Sequence, residues 1–81
     1  MESINFEVIT RGTLIVYYGN KKAIIRGEAT FDPFVFYAWI DSFTHWENPY
    51  EEIPVSKKEK EEIIDYIVSY SQNQKVKVIF E

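Results

Sequence analysis

A single stretch of this chain repeats its apolar residues at helical spacing, and the runs on either side of it alternate with a period of two. Ile63, Ile64, Ile67, Val68 and Ser71 form the helical stripe, with Glu59, Glu61, Glu62 and Asp65 distributed around the wetter side. Ser56-Lys57-Lys58-Glu59 opens the stretch as a capping box, in which the Ser56 hydroxyl accepts from the Glu59 amide while the Glu59 carboxylate reaches back. The spacing therefore predicts a helix over 56–72, with Asn73 as the candidate for a left-handed terminus. One amphipathic helix has one apolar stripe to bury, and a single sheet is what the rest of the chain can offer it.

The alternating runs supply that sheet. In residues 3–9, Ile4, Phe6 and Val8 fall on one face and Asn5 and Glu7 on the other, and Thr10-Arg11-Gly12 turns the chain. Residues 13–18 are β-branched and aromatic, and Gly19-Asn20 joins them to a similar run at 21–26 as a tight hairpin. A break at Asp32-Pro33 leads into Phe34–Ile40, a dense apolar run with the character of a central strand. From Asp41 to Val55 a long ordered loop is expected, because Pro49 and Pro54 lack backbone donors and hold Asn48 and Ile53 extended. After the helix, Lys75–Glu81 alternates again, with Val76, Val78 and Phe80 inward and Lys75 and Lys77 outward. The expected fold is α+β: an antiparallel sheet of four to five strands, in the order ββββαβ along the chain, with the helix packed on one face. A chain of 81 residues makes this a single domain over 1–81.

Such a chain hides only about 60–65% of its unfolded surface, which leaves a thin core and little room for a deep pocket. The absence of cysteine removes disulfides, thiolate catalysis and zinc-thiolate sites together, and suits the reducing cytoplasm. No apolar run approaches the ~20 residues of a membrane span, and Met1-Glu2-Ser3 has neither the basic region nor the apolar stretch of a signal peptide, so a cytoplasmic location without membrane contact is expected. His45 is the sole histidine, and with Glu47 two positions on it offers too few donors for a metal site. Gly12, Gly19 and Gly27 are isolated at turns or strand ends rather than grouped as a phosphate cradle. Glu51 and Glu52 are adjacent, so on extended backbone they point opposite ways and would not share one substrate. Tyr17 and Tyr18 read as cross-strand packing rather than a base-stacking platform. Catalytic residues, a cofactor and a metal are all expected to be absent.

Charge is distributed unevenly. Residues 27–56 contain no Lys or Arg but carry Glu28, Asp32, Asp41, Glu47, Glu51 and Glu52, so the middle third is the source of the whole net charge of −4. The same stretch holds Phe31, Phe34, Phe36, Tyr37, Trp39, Phe43, Trp46 and Tyr50. Acids grouped with rings suit a surface that docks a basic partner, since charge steers association and rings supply contact energy. Glu28, Asp32, Glu47, Glu51 and Glu52 are the expected electrostatic contacts, with Trp46 or Tyr50 as the aromatic anchor. Trp46 stays open between two roles, because a ring in a proline-containing loop can equally fill the core. The negative balance argues against nucleic acid as a direct ligand.

Gly27-Glu28 closing the third strand, the aromatic fourth strand, Trp46-Glu47-Asn48-Pro49-Tyr50, the Ser-capped acidic helix and the closing Lys-Val-Lys-Val-Ile-Phe-Glu together resemble the immunity protein 74 family of bacterial polymorphic toxin systems. The resemblance spans Ile4 to Glu81. It implies a non-enzymatic inhibitor, made beside a secreted toxin of the contact-dependent inhibition kind and binding its C-terminal toxic domain. An inhibitor of a basic nuclease domain would present acids in place of phosphates. The competing classes are an enzyme or small-ligand binder using a cleft beside Trp46 and His45, and a homodimeric structural domain. The oligomeric state stays open between a monomer and a weak homodimer.

Overall fold

The period-two runs pair in the order in which they occur along the chain. In the computed structural model, which describes residues 3–31, 34–74 and 76–81, β1 (Ile4–Thr10), β2 (Thr13–Tyr18), β3 (Lys21–Thr30), β4 (Val35–Ala38) and β5 (Lys77–Phe80) form one sheet in the order β1-β2-β3-β4-β5. The first three pairings are antiparallel, with Phe6 opposite Val16, Leu14 opposite Ile25 and Gly27 opposite Ala38. The β2–β3 hairpin turns through Gly19, whose φ of 60° a side chain would disfavour.

The sheet departs from the expected antiparallel arrangement at one pair. β5 runs parallel to β4, Phe36 opposite Val78, because the chain between them crosses the sheet through the helix and so returns in the same direction. The sheet is mixed, mostly antiparallel, and β4 lies in its interior as the apolar run at 34–40 predicts. β3 is longer than the run 21–26: its second half carries the pairing to β4, and Gly27 sits inside the strand rather than at its end. A Cβ on Gly27 would press against the Tyr37 carbonyl oxygen and the Phe36 ring, so the glycine serves the close approach of two strands.

The helix α1 (Lys57–Ser71) begins at the expected box: the Ser56 hydroxyl accepts from the Glu59 amide at 3.1 Å, and the Ser56 amide donates to the Glu59 carboxylate at 3.1 Å. Ile63, Ile67 and Ser71 are buried, with Ile64 and Val68 half-buried beside them. Ser71 is polar yet fully buried because both its bonds are made. Its hydroxyl donates to the Val68 carbonyl at 3.2 Å and accepts from the Val78 amide at 3.1 Å, which fastens β5 to the helix. The helix end closes by tight turns, the Asn73 amide donating to Tyr70 at 3.3 Å and the Gln74 amide to Ser71 at 3.1 Å. Val78 faces inward and Lys77 outward; Lys75 lies outside the described residues, as do Asp32 and Pro33.

Core side chains come from one face of the sheet and the stripe of α1, chiefly Leu14, Val16, Ile25, Phe36, Ile63, Ile67 and Val78. Each such burial contributes about 1.5–3 kcal/mol. Among the described residues, no helix is long and apolar enough to cross a membrane.

Candidate functional site: an anchored acidic loop

Between the short 3-10 turn Ile40–Ser42 and α1, the chain forms a loop whose ends are tied together. The Val55 amide donates to the Thr44 carbonyl at 2.9 Å, and His45 and Pro54 form an isolated bridge. Pro54 cannot donate, so this contact does not extend into a ladder. Trp46 then plunges into the core with no exposed surface, its ring stacked on Tyr18 (5.8 Å, 22°) and edge-on to Phe43 (6.1 Å, 86°). Its indole N–H has no partner, so no hydrogen bond helps to hold the ring. The next amide, of Glu47, donates to the Lys22 carbonyl at 2.7 Å and ties the loop to the β2–β3 hairpin.

Beyond this anchor the tip folds on itself. The Tyr50 amide donates to Glu47 at 2.9 Å and the Ile53 amide to Tyr50 at 2.9 Å, with a cis bond between Asn48 and Pro49. The Asn48 side-chain amide donates to the Glu51 carboxylate at 3.2 Å. These turns leave Glu51 and Glu52 exposed and Glu47 and Tyr50 half-buried. The loop thus presents three carboxylates on a backbone held by the Tyr50, Ile53 and Val55 amide bonds within it and by the Glu47 amide bond to the hairpin.

Beside the loop lies an open cleft of about 360 Å³, lined by Tyr18, Asn20, Lys21, Tyr50, Ile53 and Glu59. The Lys21 ammonium sits 4.9 Å from the Trp46 ring centroid and 5.8 Å from that of Tyr18, and pairs with Glu59 at 3.1 Å. The Tyr18 hydroxyl donates to Glu62 at 2.7 Å. Burial alone would raise the Glu59 carboxyl, but the Ser56 amide, Lys21 and the Ser56 hydroxyl outweigh it and hold the group below its ordinary value. A carboxylate depressed in the folded state stabilises above its unfolded value and loses that contribution as pH falls through the lowered one. Urea midpoints measured against pH should show Glu59→Gln less stable than wild type at neutral pH and matching it once Glu59 is protonated; a difference that persists in acid would assign the effect to packing.

The structure brings together Glu47, Tyr50, Glu51 and Glu52. It does not bring Glu28 to them: Glu28 is exposed on β3 opposite Tyr37, six residues from the Lys22 that anchors Glu47, roughly 20 Å along the strand. Asp32 lies outside the described residues. Of the two roles open to Trp46, the ring fills the core, and it offers a partner no surface. His45 bonds Thr44 through Nδ1 at 2.9 Å, and no group of three or more His, Asp or Glu that could hold a metal occurs among the described residues. Sequence reasoning missed Lys21, whose partners Trp46 and Glu59 are distant along the chain, and the exposed rings of Tyr66 and Tyr70 on α1. Tyr66 and Tyr70 are spaced four apart, a signal of one helix surface that could have found them.

A family model described as Immunity protein 74 matches residues 7–81. No curated protein matches the chain, and no solved structure does.

Proposed function

Because the chain belongs to the immunity protein 74 family, we propose that it neutralises a cognate bacterial toxin domain by binding it, without catalysis, in the cytoplasm of the cell that makes it. The observation that carries the class of function is the family match over residues 7–81. The reading of the partner as a basic, nuclease-type domain of a polymorphic, contact-dependent system rests on the chain's own charge: Glu47, Glu51 and Glu52 stand together with no Lys or Arg within their loop. In that reading the exposed acids accelerate encounter and occupy positions that a nucleic-acid phosphate would take, while Tyr50 adds apolar contact at the mouth of the cleft. Tethering at Trp46 and at Lys22 supports the role, since a loop ordered before binding loses less freedom on complex formation. Glu28 stands too far along the sheet to share one small contact with the loop, and engages only a partner whose surface extends across β3.

Co-expression with the C-terminal toxic domain encoded beside this gene tests the proposal. Cells are expected to survive and the two chains to purify together. Survival without a complex, or a complex without protection, would overturn it.

A further inference from the structure

β1 is an edge strand that carries few of the features that keep edges unpaired. It spans seven residues, Ile4–Thr10, at the end of the sheet, without Lys or Pro; its register shift with β2 is confined to the Val8–Thr10 end. The opposite edge, β5, is four residues long, begins with Lys77 and is tied to α1 through Ser71. Over β1 lies a group of rings that the core does not absorb. Phe6 meets Tyr66 edge-on at 6.4 Å and Tyr70 at 5.7 Å, and the two tyrosines stack at 5.7 Å while remaining 37% and 50% exposed. Next to them is an open cleft of about 550 Å³, lined by Phe6, Glu7, Val8, Tyr70, Gln74 and Val76.

The geometry points to a second copy of this chain as the occupant of that edge, paired antiparallel through β1 to make a continuous ten-stranded sheet about a two-fold axis at Phe6. A two-fold perpendicular to the sheet keeps each face on its own side, so residues facing one another must share parity. Centring the pair on Glu7 would set Glu7 against its own copy, a like-charge pair that destabilises a sheet. Centring it on Val8 runs the pairing into the register shift at Val8–Thr10 and sets Glu7 against Ile9. Centring it on Asn5 leaves only Ile4–Phe6 of the strand overlapped. Centring it on Phe6 overlaps Ile4–Val8, sets Asn5 against Glu7 of the second copy as donor and acceptor, and brings Ile4 of the second copy against Val8, at the mouth of the cleft. The same axis carries Phe6, Tyr66 and Tyr70 of the two copies toward one another, covering rings that are otherwise wet.

The chain has no cysteine, so introduced thiols read the register directly. Asn5→Cys and Glu7→Cys proteins, mixed and oxidised, are expected to give a disulfide-linked pair, while each alone gives far less, since opposed Cα atoms lie within disulfide reach and diagonal ones at about 7–8 Å do not. Sedimentation of the wild-type chain is expected to show twice the monomer mass, and Tyr70→Glu, at a half-exposed position, a monomer that keeps the far-ultraviolet circular dichroism of the wild type. A wild-type chain monomeric at every concentration, Glu7→Cys linking to itself as readily as to Asn5→Cys, or a dimer indifferent to Tyr70→Glu would each overturn the assignment. Cross-linking of Asn5→Cys only to the toxin domain would give the edge to that partner instead. The experiment contains no toxin in its first arms, so its failure leaves the proposed inhibition untouched.

Discussion

Trp46→Ala is expected to lower stability by about 3–5 kcal/mol, the range for removing a large buried ring. The argument is one of ring contacts rather than hydrogen bonding. Trp46 is fully buried, stacks on Tyr18, meets Phe43 edge-on, and makes no hydrogen bond through its indole N–H, so truncation forfeits contact on every side and leaves a cavity. Total stability of a domain this size is about 5–15 kcal/mol, so the loss is a large part of the whole. It should also release Lys21 from the ring beneath it and slacken the loop from Thr44 to Val55. Trp46→Phe keeps an aromatic disc and removes the unpaired donor, and should cost markedly less. Denaturant midpoints for the two variants decide the matter. Unchanged stability in Trp46→Ala, with lost protection against a toxin, would move the ring from the core to an interface.

Legibility in the sequence followed the range of the forces involved. The capping box was readable because Ser56 and Glu59 meet across three positions, and the stripe at Ile63, Ile67 and Ser71 because a helix face repeats locally. The strands were readable from alternation, and the β2–β3 hairpin from Gly19-Asn20 between two such runs, but the pairing of β4 with β5 was not, since it joins residues that no short turn connects. This is why β5 beside β4 reads as one more antiparallel strand until the helix is seen to carry the chain back across the sheet. Gly27 reads as a strand end, although its real constraint is the Tyr37 backbone and Phe36 ring brought against it by β4. The acids of residues 27–56 form one charged segment in sequence, yet the fold divides them: Glu47, Glu51 and Glu52 go to the loop, and Glu28 to the far half of β3. Trp46 sits beside Glu47 in the chain, and only the anchoring of the loop on the hairpin decides which of the two turns inward.

Glu51→Lys combined with Glu52→Lys should slow association with the toxin domain by about tenfold or more at low salt, while dissociation changes little. Both side chains are exposed, so reversing them leaves the core and the tethers at Thr44 and Lys22 intact, and thermal melting should stay close to wild type. Steering by exposed charge is screened over about 8–10 Å at physiological salt, so the wild-type rate should fall steeply with ionic strength and the variant's should not. Were these acids instead desolvated in the interface, reversal would speed dissociation and cost about 2–5 kcal/mol. The most direct measurement is therefore the association rate of wild type and the double variant with the toxin domain across a series of salt concentrations. Two curves that converge at high salt, the wild type starting well above, are the result expected of an acidic docking loop. Curves that coincide at every salt concentration would contradict it and remove the loop from the interface.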